Sequence, residues 1–199
     1  MPTASSRSHI KTWTGKGCFL KRFALLLSIS TLLFAYTYHD TILQVYAKVL
    51  PKVLVINQPK EIPLEQIDIC IVHEEGDIHY VQLLEKAIGS LYAKGISGIS
   101  ITTRSVAYTS IQTCHNTNAL MLMQSTPEQI QSAVDYALEH HIFTASYNAS
   151  ELSRGVIFSL DITERVKPYL NVKAAKSAKV PLDSALMQIS TIYRDGGNP

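Results

Sequence analysis

Three short apolar runs most constrain what this chain can become: IDICIV (Ile67–Val72), ALMLMQ (Ala119–Gln124) and IFTASY (Ile142–Tyr147). Each is bounded by polar residues and is too short for a buried helix, so each reads as a strand. IDICIV and ALMLMQ are nearly continuous in apolar residues, which suits a parallel sheet covered on both faces. ISGISITT (Ile96–Thr103) is β-branched and reads as a further strand.

Helical segments lie between these strands. From Ile78 to Lys94, Val81, Leu84, Ala87, Ile88, Leu91 and Tyr92 share one face, and Gly95 suits the C-terminal cap. STPEQIQSAVDYALEHH (Ser125–His141) begins with Ser125 or Thr126 as cap and Pro127 in the first turn. Thr41–Ile56 carries Ile42, Val45, Tyr46, Val49, Leu50 and Val53 at helical spacing, and Pro51 predicts a kink or an end there. The order strand, helix, strand, connection, strand, helix, strand predicts an α/β sandwich, a mainly parallel sheet flanked by helices. GVIFSLDI (Gly155–Ile162) and RVKPYLNV (Arg165–Val172) predict a C-terminal antiparallel hairpin. Pro168 pushes its second strand towards an edge, and helix follows over Ala174–Tyr193.

The head differs in composition. Arg7, Lys11, Lys16, Lys21 and Arg22 precede Phe23–Ala35, 13 uncharged residues, and no acidic residue occurs before Asp40. A basic stretch followed by an apolar core of that length reads as an export signal cut after Ala35, or as an uncleaved membrane anchor. The division expected is therefore 1–35 as signal or anchor, 36–195 as one domain and 196–199 as a polar tail. Without the head the chain holds more acidic than basic residues, which gives no reason to expect nucleic-acid binding. Export leaves Cys70 and Cys114 as the only cysteines of a mature chain. An even count in an oxidising compartment suggests a disulfide; the alternative is two buried thiols.

One stretch looks chemical. His73, Glu74, Glu75, Asp77 and His79 crowd into seven residues after the first strand. Asp77 is a natural helix cap and Gly76 a turn residue, so a plain turn accounts for the segment. His73 and His79 lack the spacing of a helical zinc pair. HEEGDIH has one glycine, so no phosphate loop is present. His115 follows Cys114 directly, and His140 and His141 belong at the opposite end of the sheet. No catalytic residue, metal site or cofactor is assigned.

The stretch Gly155–Tyr193 resembles the end of the YfiR family of periplasmic proteins. The matching features are Gly155 opening an apolar strand, a second strand ending in Asn171, Ala174-Ala175, and SALMQISTIY. Upstream, VYAKVLPKVLVI stands where that family has a helix, and Cys70 and Cys114 stand where it has cysteines, so the resemblance covers about Leu43–Tyr193. Val55-Ile56 replaces the family's usual Trp-Pro, and Gly155 is single where a pair is usual. The resemblance implies an exported, non-enzymatic regulator that binds and restrains the periplasmic part of an inner-membrane diguanylate cyclase. A paired Cys70 and Cys114 agrees with the family's use of disulfides.

Two other classes stay open. One is a solute-binding protein with a deep pocket at the carboxyl edge of strands 67–72 and 119–124. The other is an enzyme in which His73, Glu75 and His79 converge with His115. Val45 and Val49, on the broad stripe of helix 41–56, are the candidate contact residues for the partner or for a second copy. The alternative is that this helix packs on its own sheet.

Overall fold

The computed structural model describes residues 38–58, 64–162 and 165–194, and Tyr38–Pro199 form one compact unit. The expected signal or anchor over 1–35 and the tail over 196–199 lie outside the described residues. The helices are α1 (Asp40–Ile56), α2 (Ile78–Leu91), α3 (Pro127–His140), α4 (Val172–Ser177) and α5 (Ser184–Ile189). The strands are β1 (Gln66–His73), β2 (Ser100–Ala107), β3 (Ala119–Leu122), β4 (Phe143–Ser146), β5 (Phe158–Ile162), β6 (Val166–Leu170) and β7 (Thr191–Ile192).

Among the described residues these strands form one sheet in the order β2-β1-β3-β4-β5-β6-β7. Pairing is parallel from β2 through β5. The β5–β6 hairpin is antiparallel, and β7 adds parallel to β6. The expected α/β architecture is therefore present. Alternation along β1 builds two cores. Ile67, Ile69 and Ile71 face one that includes α1 and α2, while Cys70 and Val72 face one that includes α3. β1 and β3 are covered on both faces, which is why they read as nearly continuous apolar runs.

Several boundaries differ from the sequence reading. α2 ends at Leu91 rather than Lys94, and its C-cap is Tyr92 rather than Gly95. Strand β2 begins at Ser100, because Ile96 and Ile99 exchange backbone hydrogen bonds of 2.9 Å around a tight turn. Ser97 and Gly98 at the centre of that turn both have positive φ. Gly95 is needed beside it: a Cβ there would lie 2.2 Å from the Ile99 carbonyl oxygen. β2 runs on through Arg104 to Ala107 because it is an edge strand, where polar side chains reach water. Helix α1 continues through Pro51, which is buried, and does not end there.

Pro168 does not make β6 an edge strand. β7 pairs only with Tyr169 and Leu170, however, so Pro168 is spared a second partner. The C-terminal stretch splits into α4 and α5, capped by the Asn171 and Asp183 side chains, before turning into β7. No helix among the described residues is long and apolar enough to cross a membrane.

Candidate functional site

Strand order in the parallel part reverses at β1, which has β2 on one side and β3 on the other. In open parallel sheets the crevice at the carboxyl ends of such strands is where ligands bind. Here the chain fills that crevice with its own side chains. Tyr38, just ahead of α1, is buried. Its hydroxyl donates to Asp77 Oδ2 at 2.7 Å and accepts from the Gln124 backbone N–H at 2.9 Å. One phenol thus bridges the segment after β1 and the segment after β3.

A row of tyrosines extends this closure. The Tyr38 ring lies 4.7 Å from Tyr80 and 4.9 Å from Tyr147, and Tyr147 stacks on Tyr46 at 6.0 Å. The Tyr147 hydroxyl accepts from the His39 backbone N–H at 3.0 Å. The Tyr46 hydroxyl donates to the Ser146 carbonyl at 2.6 Å and accepts from the Leu160 N–H at 3.0 Å, pinning α1 to β4 and β5. Burial pushes the Tyr46 phenol up to about 12 despite hydrogen bonds from Ser159 and Leu160. Burial also raises Tyr38, helped by its hydrogen bond to Asp77 and that carboxylate's charge. These phenols stay protonated at neutral pH and serve as paired donors and acceptors.

The acid–histidine cluster after β1 is held apart by separate bonds. Asp77 precedes α2, but its side chain makes no cap hydrogen bond. Its carboxylate goes to Tyr38 instead, which corrects the expected capping role. Burial is the main force raising the Asp77 carboxyl above its ordinary value, and Glu74 adds to it; the Tyr38 bond and His73 oppose it. His73 is buried, with Nδ1 2.6 Å from the Glu74 carbonyl oxygen. A carbonyl only accepts, so the proton sits on Nδ1. Glu74 Oε1 accepts from Ser125 Oγ at 2.6 Å. Glu75 and His79 are exposed, and the His79 ring lies edge-on to Tyr80.

His115 precedes β3, beside the stretch where the Asn118 N–H donates to the Asp68 carbonyl near the start of β1. That is the other end of the sheet from His73. His140 ends α3 against Tyr136, and His141, with φ 58°, precedes β4. The combination of His73, Glu75 and His79 with His115 is therefore not brought together. Among the described residues no group of three His, Cys, Asp or Glu side chains is placed to hold a metal ion.

Cys70 and Cys114 form a disulfide with Cα atoms 6.0 Å apart. It ties β1 to the end of a 3-10 segment, Tyr108–Cys114, that leads into β3. Arg104 on β2 fastens the same segment. Its guanidinium donates to the Thr113 and His115 carbonyls at 3.0 Å each, and pairs with Asp68 at 3.0 Å. Tyr108 completes the attachment by donating to the Met123 carbonyl at 2.6 Å. On α1, Val45 and Val49 are half-buried against the first core, while Gln44, Lys48 and Lys52 are exposed.

The Tyr38 closure had no sequence signal of its own. Tyr38 stands three residues after the apolar run of the head, and nothing beside it in the sequence points to a partner. Gly155 and Asn171 have local roles: Gly155, with φ 98°, ends a 3-10 turn, and Asn171 donates to the Leu152 carbonyl while accepting from the Ala174 N–H.

No curated protein matches the chain in sequence. Among solved structures it resembles a conserved domain protein from Vibrio cholerae O1 biovar El Tor strain N16961, with TM-score 0.55 and 12% identity, over 76% of this chain and 60% of that one. It also resembles the ABC domain from Streptococcus pneumonia solved in complex with L-Trp, with TM-score 0.52 and 8% identity, over 75% of this chain and 61% of that one. The chain spans about three fifths of the length of these structures, and at such identities the likeness shows the fold alone. The family model described as YfiR/HmsC-like matches residues 56–191, which takes in β1 to β6, the first residue of β7 and all helices after α1. The chain belongs to the YfiR/HmsC-like family.

Proposed function

We propose that the chain is an exported, non-enzymatic signalling regulator that binds the periplasmic part of an inner-membrane diguanylate cyclase and restrains it. The observation that carries this reading is the family match over 56–191, since that family is one of periplasmic regulators of cyclic di-GMP signalling. The Cys70–Cys114 disulfide supports export, because such bonds persist in oxidising compartments. At the carboxyl edge of β1 and β3, where a solute receptor of this fold would place its pocket, Tyr38 and its neighbours fill the space. That favours the regulator over the solute-binding reading.

Restraint requires differential binding: a regulator with equal affinity for active and inactive cyclase shifts nothing. The proposed contact is the outer flank of α1, where half-buried Val45 and Val49 border exposed Lys48 and Lys52. A second copy of the chain is the competing occupant of that flank. Pull-down from solubilised membranes tests the partner, with a membrane protein carrying a diguanylate cyclase domain as the expected catch. Deletion of the gene is expected to raise cyclic di-GMP and surface attachment. Unchanged cyclic di-GMP would overturn the reading.

A further inference from the structure

The last described stretch, 165–194, differs from the rest of the domain in charge and in exposure. Over 36–162 acidic residues outnumber basic ones 13 to 7, whereas over 163–199 basic residues outnumber acidic ones 6 to 3. Of the eight large apolar side chains left exposed among the described residues, four lie in 165–194: Val166, Met187, Ile189 and Ile192. Ile189, at 56%, is the most exposed of all eight. That stretch is only a fifth of the described residues. Single exposed apolar side chains are ordinary, but a concentration of them marks a surface that meets a partner or a membrane.

The sheet brings these residues to one edge. β7 is the last strand and pairs only with Tyr169 and Leu170, so β6 from Val166 to Pro168 has no strand beyond it. Leu170 faces the first core. Val166 lies four residues before it on the same side of the strand, and Ile192 is its parallel partner, so both share that face. Ile189 ends α5, whose Leu186 packs in the same core, two residues before β7. Arg165 and Lys167 flank Val166, Arg194 follows β7, and all three are exposed. Among the described residues the ion pairs are Arg104–Asp68 and Arg154–Glu151, so none of these three cations is neutralised by one. Asp161, opposite Lys167 on β5, makes no ion pair with it, and Asp183 turns its carboxylate to the Ala185 N–H at the start of α5.

We infer that this edge docks on an anionic lipid bilayer. Val166, Ile189 and Ile192 enter the headgroup region, and Arg165, Lys167 and Arg194 lie at the level of the phosphates. Apolar contact and the attraction of basic residues to anionic lipid add in binding of this kind. A second copy fits the edge less well, because a two-fold pairing sets the three cations against their own copies. The inference uses the edge alone and stands whether or not the cyclase reading holds.

Hydrogen exchange on the full chain tests it, read by mass over 165–194. One set of vesicles holds phosphatidylglycerol and phosphatidylcholine in equal parts, the other phosphatidylcholine alone. Reading this stretch separates its docking from any hold that the head has on the same vesicles. Protection is expected with the anionic vesicles, fading as salt is raised, and none with the neutral ones. Arg165→Gln/Lys167→Gln is expected to raise the lipid needed for half-protection at least tenfold, from about fivefold for each charge removed near the surface. Ile189→Ser is expected to raise it about tenfold. Lys86→Gln/Lys94→Gln removes the same charge from exposed positions on and just after α2, and is expected to change it by no more than about twofold, since charges away from the surface are screened. All of these side chains are exposed, so the variants are expected to fold. No protection, equal protection by neutral vesicles, or an equal loss in the α2 control overturns the inference. Protection that grows with protein concentration in the absence of lipid assigns the edge to a second copy. Protection by a membrane protein recovered in the pull-down, but not by vesicles, assigns it to an acidic protein surface. Either result also overturns the lipid assignment.

Discussion

The phenol of Tyr38 is hydrogen-bonded to the carboxylate of Asp77 across 39 residues of sequence, at 2.7 Å and out of water. This bond closes the place where a sheet of this topology is otherwise open to ligands, and it sets a definite pH response. The Asp77 carboxyl is raised by burial, so its folded value exceeds its unfolded one. Between the two values the folded state holds a proton that the unfolded state has lost. The stability linked to Asp77 is therefore fully present below the ordinary carboxylate value and is lost as pH rises through the raised one.

Asp77→Asn keeps an acceptor for Tyr38 and removes the charge. The variant is expected to be at least as stable as the parent at pH 7, and to show a flatter dependence of urea midpoint on pH above 4. Tyr38→Phe leaves the carboxylate without its donor and is expected to cost about 1–3 kcal/mol at pH 7. Urea melts from pH 4 to 8 check both. An unchanged pH slope in Asp77→Asn would show that the carboxyl titrates normally.

Loss of the disulfide has a separate signature. The intact chain, exported and analysed without reductant, is expected to weigh two hydrogens less than its reduced form. Closing this loop stabilises by about 4 kcal/mol in the chain-entropy model, so a Cys70→Ser/Cys114→Ser variant is expected to unfold at markedly lower urea. The 3-10 segment Tyr108–Cys114 is the part expected to lose protection first in hydrogen exchange, although Arg104 still holds its end. Free thiols at both positions in the exported protein contradict the bond.

Val45→Glu and Val49→Glu separate a core role for the α1 flank from a contact role. Both side chains are half-buried, so a long acid at either position has a route to water. The expected outcome is a folded protein by circular dichroism that fails to lower cyclic di-GMP. Loss of folding in both variants assigns the flank to the core.

Processing has a structural limit. A cut after Ala35 leaves Tyr36 as the first residue and retains Tyr38 in its place. A cut beyond Tyr38 removes a buried aromatic, which costs about 3–5 kcal/mol when truncated to alanine. N-terminal sequencing of the exported chain is expected to read Tyr36-Thr37-Tyr38. A first residue after Tyr38 would mean that the closed edge is opened during maturation.

The parts of this fold legible in the sequence are those governed by local burial. β1, β3 and β4 stand out because both faces are covered, and α3 because Thr126, Pro127 and its apolar stripe agree. β2 begins four residues later than its isoleucine-rich approach suggests, since an edge strand admits the half-buried polar residues Thr102, Thr103 and Arg104 while the isoleucines before it belong to a turn. β7 has two residues and exists only because β6 offers a partner. Cys70 and Cys114 were legible as a pair from compartment and count. The Tyr38–Asp77 bond was not, because Asp77 is equally suited to capping α2 and nothing local says that a tyrosine 39 residues away takes its carboxylate.

Synthesis from the amino end gives the closed edge a timetable. Tyr38 is among the first residues of the compact unit to emerge, yet its bonds reach 39 residues ahead to Asp77 and 86 ahead to Gln124, and its neighbour His39 reaches 108 ahead to Tyr147. The start of the domain thus stays unlatched until more than half of the sheet has followed it. A nascent chain halted before Gln124 holds β1 and β2 with that latch incomplete, and it is in that interval that a chaperone has a tyrosine-rich face to hold.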